Sequence, residues 1–276
     1  MTIVTPKPNA DTGPVVRSDA TRLRTLWAAG RPAFGAWSIL ADPVVAEILA
    51  AGEADYVCLD TQHGHVTEVD LSTVLQSYRA GGRAPIVRAN WNQPSAIFRV
   101  LDTGASGVVV PMVDDADAAR AAARATRYPP VGERSWGPMW GDCRPVASPA
   151  EQDREAMCIV MIETAAGYAN IDQIVATPGV DAIYVGPNDL ALSCGLGRST
   201  YRDSSEIADL LRSILKTCRD RDLAVGLHCS DAAMATDWAS EGFMMLTAVA
   251  DTKAVRSGIA NDLAQARSGL EAISKA

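Results

Sequence analysis

A chain of 276 residues with 48% hydrophobic residues is long enough to bury one large core, and an aromatic content of only 5% requires that core to be built from Ala, Val, Leu and Ile. A formal charge of −8, with no basic run interleaved with aromatics, argues against a nucleic-acid partner. No apolar stretch is long enough to cross a bilayer, and the amino terminus lacks the apolar core of a signal peptide, so no membrane partner and a cytoplasmic location are expected.

In chain order, residues 1–18 are rich in Pro, Thr, Gly and Asp without periodicity and read as a disordered or loosely docked extension. Residues 19–276 read as one domain. Short β-like runs fall at 34–39, 56–60, 84–88, 107–111, 158–162, 182–185, 224–227 and 244–248. Between them lie amphipathic helix candidates at 43–51, 71–80, 116–126, 207–220 and 232–240. This alternation implies a parallel sheet with right-handed crossovers. Eight strands and this length favour a (β/α)8 barrel. A doubly wound sheet is the alternative, although no Gly-x-Gly-x-x-Gly turn follows the first strand. A long interruption at 127–155 carries Trp136 and Trp140 among Pro and Gly, and reads as an ordered lid or a subunit contact.

Six cysteines, at 58, 143, 158, 194, 218 and 229, show no Cys-x-x-Cys pair and suit small core residues in a reducing compartment better than zinc ligands or disulfides. The chemistry is expected at strand ends. Asp60 ends the second run and His63 opens the loop behind it, next to a carboxylate and suited to proton transfer near neutral pH. A loop histidine bonded to backbone is the plainer reading. His63 and His65 form a His-x-His pair, but with only three histidines in the chain the set for a zinc hydrolase is incomplete, so His65 is read as structural.

Arg88 closes the third run and can stabilise an enolate oxygen or a carboxylate, or else pair with a nearby acid. Asp102, at the end of a helix, either orients the histidine or is an ordinary helix-terminal acid. Glu163 and Asp189 each follow a short apolar run in adjacent βα units and can share one divalent cation. The segment Gly186-Pro187-Asn188-Asp189 starts a helix whose free amides can bind an anionic oxygen.

Taken together, Gly35-Ala36-Trp37, Asp60-Thr61-Gln62-His63-Gly64, Val87-Arg88, Val110-Pro111-Met112-Val113-Asp114, the run from Arg127 through Tyr128-Pro129-Pro130 to Arg134, Ile162-Glu163 and Val185-Gly186-Pro187-Asn188-Asp189-Leu190 resemble the class II, metal-dependent pyruvate aldolases of the HpcH/HpaI type over residues 30–260. The resemblance implies a (β/α)8 barrel that cleaves a 4-hydroxy-2-oxo acid to pyruvate and an aldehyde. It implies Mg²⁺ or Mn²⁺, with Co²⁺ a further option, on Glu163 and Asp189, and the pyruvate carboxylate on the amides of Asn188 and Asp189, beside Gly186 and Pro187. Arg88 would hold the carbonyl oxygen and Trp37 would line the pocket. His63, oriented by Asp102 and close to Asp60, would move the proton.

Gln62 and Met161 stand where the family pattern has Glu and Gln, which points to a different aldehyde partner; the two lid tryptophans hint that it is less polar. The resemblance further implies a homo-hexamer, a trimer of dimers that exchange a terminal helix at 252–270. No lysine falls at a predicted strand end, in keeping with chemistry that needs no Schiff base. Two rival readings are a CoA-thioester lyase of the citrate lyase β or malyl-CoA lyase type and a catalytically silent barrel that binds a small oxo acid.

Overall fold

The computed structural model describes residues 16–143, 145–198, 202 and 204–275. Its strands are β1 (Arg17–Ser18), β2 (Ala33–Ser38), β3 (Tyr56–Asp60), β4 (Arg83–Ala84), β5 (Ile86–Arg88), β6 (Gly107–Val110), β7 (Met157–Ile162), β8 (Ala182–Val185), β9 (Ala224–Leu227) and β10 (Met245–Ala250). Its helices are α1 (Asp19–Ala28), α2 (Pro43–Ala51), α3 (Glu68–Ala80), α4 (Pro94–Asp102), α5 (Ala116–Ala125), α6 (Pro149–Glu155), α7 (Ala165–Ala169), α8 (Ile171–Val175), α9 (Pro187–Ser193), α10 (Ser205–Arg219), α11 (Ala232–Glu241) and α12 (Asp251–Lys275).

Eight strands close in the order β10-β2-β3-β5-β6-β7-β8-β9, every pair parallel. The pairing of β10 with β2 removes the doubly wound alternative, because an open sheet has two unpaired edges. Several helices start on an aspartate that follows a strand. Asp42, Asp115 and Asp231 accept from Val44 and Val45, Ala118 and Met234 respectively, which satisfies first-turn amides and turns the chain back along the barrel.

Side chains alternate along the strands and so divide the core in two. Val57, Leu59, Val87, Val108, Val160, Ile183, Val185 and Leu227 face the helices. Trp37, Tyr56, Cys58, Ile86, Val109, Ile159, Met161, Tyr184 and Met245 fill the barrel interior. The rings of Tyr56 and Tyr184 reach across the axis toward Thr247, whose hydroxyl lies 2.6 Å from Tyr184 Oη and 3.5 Å from Tyr56 Oη. Glycine makes room for them: a Cβ on Gly35 would stand 2.2 Å from the Tyr56 ring.

Helix α1 plugs the amino-terminal end of the barrel with Ala20, Leu23 and Leu26. Its first residue, Asp19, is wholly buried and receives Arg83 Nε on both carboxylate oxygens at 2.9 Å and Val57 N–H at 2.7 Å. The amino-terminal extension expected over 1–18 falls mostly outside the described residues. Within them, Arg17–Ser18 already pairs in parallel with Arg83–Ala84, so ordered structure begins ahead of the expected boundary.

The interruption at 127–155 is a packed structure at the amino-terminal side of the barrel, and the lid reading does not hold within one chain. Arg134 is buried, binds Asp102 through Nη2 at 2.7 Å, and lies 4.6 Å from the Tyr128 ring centre. Trp140 Nε1 donates to Thr103 O at 3.1 Å. Together with Ser18 at the end of β1, Ala84 at the end of β4 and Ser106 just before β6, this segment lines a cavity of about 260 Å³ away from the barrel mouth. Trp136 and Trp140 therefore do not shape the mouth of their own barrel.

The last helix, α12, meets the barrel through Asp251, whose Oδ2 accepts from Ser38 Oγ, Ile39 N and Leu40 N. Beyond that anchor Val255, Ile259 and Leu263 are exposed at four-residue spacing, a single helical face.

The contact between Gly35 and Tyr56 sets an expected outcome. Gly35→Ala overpacks the barrel axis and lowers the unfolding free energy by about 2–3 kcal/mol, read from the midpoint of a urea transition.

Candidate active site at the barrel mouth

The carboxyl-terminal ends of the strands surround a cavity of about 340 Å³, lined by Trp37, Ile39, Asp60, His63, Arg88, Met161, Gly186, Pro187, Asn188, Asp189, His228 and Ala250. Chemistry at this end of the barrel follows from phase. Asp60 and Arg88 are the last residues of β3 and β5, point inward like Cys58 and Ile86, and stand beside one another in register. Glu163, Gly186 and His228 continue the inward alternation one step past the ends of β7, β8 and β9.

Asp60 is the hub. Its Oδ1 accepts from Arg88 Nε at 2.9 Å, from Gln62 N at 2.9 Å and from His63 N at 3.1 Å. Its Oδ2 accepts from Arg88 Nη2 and from Trp37 Nε1 at 3.0 Å. Burial opposes the charge on Asp60, but the guanidinium of Arg88 and the Trp37 and His63 donors outweigh it and hold the carboxyl below its usual range. Burial likewise opposes the charge of Arg88, and Asp60 raises its pKa in spite of it.

The guanidinium carbon also lies 5.2 Å from the centre of the Trp37 ring, which stacks on Tyr184. With every lone pair committed, Asp60 positions Arg88, Trp37 and the His63 loop rather than exchanging protons itself. His63 is exposed at the rim.

Glu163 is buried, and Oε1 accepts Met112 N–H at 2.8 Å. Met112 takes a left-handed backbone, φ 56°, to aim that amide. Burial pushes the Glu163 carboxyl above its usual range; Met112 N–H and Arg88 draw it back and Asp189 pushes it further up. A Cβ on Gly186 would stand 2.9 Å from Glu163 Oε2, space that glycine leaves open beside the cavity.

Two neighbouring carboxylates, one of them buried at a cost in charge, form a donor set that fits a hard divalent cation with substrate or water filling the other positions. Among the described residues no three His, Cys, Asp and Glu side chains gather to hold a metal, which is unlike a closed zinc site. Next to the pair, α9 opens with Gly186 as its N-cap and Pro187 in its first turn, and no side chain caps the amides of Asn188 and Asp189.

Nine of the expected site residues line one cavity: Trp37, Asp60, His63, Arg88, Met161, Gly186, Pro187, Asn188 and Asp189. Glu163 adjoins it through Gly186. Gln62 does not line it, and among the described residues its buried Oε1 has no hydrogen-bond partner. Asp102 is the clear correction. It closes α4, and in a parallel barrel the helices end at the face opposite the strand tips, so within one chain it cannot orient His63; Arg134 holds it instead.

Met112 and His228 were missed. Nothing in the sequence marks a backbone amide as a clamp, but His228 could have been found by counting two residues on from Gly226 in the interior phase.

His228 lies edge-on to Trp37, ring centres 4.7 Å apart. Burial, and then the charge of Arg88, pull its pKa down to about 4, below the ordinary value of 6.5. Between these two pH values the unfolded chain binds a proton that the native imidazole refuses, so stability falls as pH is lowered through that window and the loss is absent above it. His228→Asn is expected to reduce this acid loss by up to about 3 kcal/mol, checked by urea unfolding at neutral and acid pH. Asp60→Asn strands Arg88 without its counter-charge and is expected to cost about 3 kcal/mol of stability at neutral pH, read in the same way.

The chain matches the family model described as HpcH/HpaI aldolase/citrate lyase over residues 33–258. It is 33% identical over 247 residues to hydroxypyruvate/pyruvate aldolase of Rhizorhabdus wittichii, covering 89% of this chain and 98% of that one. It is 32% identical over 234 residues to 4-hydroxy-2-oxo-heptane-1,7-dioate aldolase of Klebsiella pneumoniae, covering 83% and 88%. Among solved structures, an HpcH/HpaI aldolase/citrate lyase family protein of Burkholderia cenocepacia superposes with a TM-score of 0.80 at 28% identity, covering 90% of this chain and 98% of that one. A closed parallel barrel, a mouth that gathers the motif residues, and these matches in sequence and structure lead to one assignment: the chain belongs to the HpcH/HpaI aldolase/citrate lyase family.

Proposed function

We propose that the protein is a divalent-metal-dependent aldolase that reversibly cleaves a 4-hydroxy-2-oxo acid to pyruvate and an aldehyde. The observation that carries this reading is a clamped cation, Arg88, and a carboxylate, Asp189, lining one cavity at the barrel mouth, with the buried carboxylate of Glu163 beside it at Gly186. Relatives named as aldolases of hydroxypyruvate, pyruvate and 4-hydroxy-2-oxo-heptane-1,7-dioate support it.

Glu163 and Asp189 would hold Mg²⁺, Mn²⁺ or Co²⁺, and the bound ion would polarise the 2-oxo group so that the charge left by carbon–carbon cleavage is spread. The amides of Asn188 and Asp189 take the acid's carboxylate, with Gly186 and Pro187 shaping the turn. Arg88, held rigid by Asp60, donates to the oxo oxygen, where negative charge grows. Trp37 and Met161 form an apolar wall that keeps water from the reacting carbons. His63, exposed at the rim, exchanges a proton between the hydroxyl of the aldol and solvent.

The working form is a homo-oligomer, a hexamer of paired subunits in which the apolar face of α12 packs on a second copy. The protein works in the cytoplasm, where its six unpaired cysteines stay reduced.

The test is pyruvate release from a 4-hydroxy-2-oxo acid with Mn²⁺ and then with chelator. Activity is expected to require the metal, and Glu163→Gln or Asp189→Asn should lower it by about 100-fold or more. Undiminished turnover in chelator would reject the reading.

A further inference from the structure

One polar side chain in the cavity has no part in the chemistry above. His228 follows β9 in the interior phase, and its backbone N–H donates to Val185 O at 3.1 Å, tying it to the tip of β8 from which Asn188 and Asp189 project. Its ring meets the edge of Trp37 at 84°. Among the described residues no protein group hydrogen-bonds to either ring nitrogen.

Of the other lining residues, Ile39, Met161 and Ala250 offer no conventional hydrogen-bonding side chain and Arg88 is held by Asp60, so His228 adds a neutral polar contact to this cavity. Burial and the nearby Arg88 keep the imidazole neutral at physiological pH. A neutral imidazole presents one N–H donor and one lone pair. That pattern matches a hydroxyl, which also donates and accepts. A methyl group in the same place makes no hydrogen bond to the ring.

We propose that His228 reads a hydroxyl on the carbon next to the oxo group of the donor acid, so that a 3-hydroxy-2-oxo acid binds in preference to its 3-deoxy counterpart. The assignment rests on the oxo-acid reading of the cavity. The donor acid, not the aldehyde, is the partner because His228 belongs to the β8–β9 wall, where Asn188 and Asp189 would hold the acid. His63, at the rim behind β3, marks the side open to the aldehyde.

The experiment is calorimetric binding of hydroxypyruvate and of pyruvate, each with Mn²⁺ present, to the wild type, His228→Phe and His228→Asn. The wild type is expected to prefer hydroxypyruvate by about tenfold, the worth of one hydrogen bond. His228→Phe should bring the ratio close to one. His228→Asn, which keeps a donor and an acceptor, should retain most of it. If the phenylalanine variant does not fold, His228→Leu serves the same comparison.

A ratio unchanged by loss of the imidazole overturns the proposal, and so does an equal loss for both acids, which marks a purely structural role. A preference found only between glycolaldehyde and acetaldehyde as acceptors overturns it as well. Absence of pyruvate release from 4-hydroxy-2-oxo acids would remove the aldolase reading, whereas the binding ratio would still decide the role of His228.

Discussion

The buried pair of Asp60 and Arg88 is the constraint on which the mouth of the barrel depends. Both residues end neighbouring strands, so parallel register alone brings them side by side. A carboxylate this deeply buried would be unstable without compensation, and it takes that compensation from a guanidinium, an indole N–H and two backbone amides at once. The same bonds fix the plane of Arg88, the tilt of Trp37 and the path of the loop that carries His63. A cation held this way loses little freedom when it meets a substrate oxygen, which is what preorganised electrostatic stabilisation requires.

Because Arg88 is matched by Asp60, the remaining carboxylates are not. Burial pushes the Glu163 carboxyl up, and the charge of Asp189 adds to that push. A proton or a divalent cation would each offset that charge, which is why the pair suits the metal role proposed for it. The strained φ of Met112 directs one amide onto Glu163 Oε1, and the missing side chain of Gly186 leaves space beside Oε2.

The opposite end of the barrel is built on different terms. There, ion pairs are closed on themselves: Asp19 with Arg83 beneath the plug helix, and Asp102 with Arg134 under the long insertion. These pairs tie loops to the barrel floor and offer no open ligand position. The division agrees with the general separation of stability and chemistry between the two faces of such barrels. It also explains how an acid that looks catalytic by its place in a motif, Asp102, serves packing within its own subunit.

Much of the architecture could be read before any coordinate was known. Alternating apolar runs and Ala-rich amphipathic stretches located all eight barrel strands to within a residue or two, and the 43–51 helix to the residue. Polar residues at or just past apolar runs singled out Asp60, Arg88, Glu163 and Asp189, of which Asp60, Arg88 and Asp189 line the mouth and Glu163 adjoins it. These signals are local: hydrophobic period, capping residue and turn type act over a few positions, so they survive in one dimension.

What tertiary structure decided is everything that depends on two distant segments meeting. Closure of β10 on β2, the end of the barrel to which Asp102 and the 127–155 segment belong, the amide of Met112 against Glu163, and the neutral imidazole of His228 against Trp37 all arise from packing across the barrel. Charge state, exposure and partnership are properties of the assembled surroundings, and no spacing along the chain encodes them.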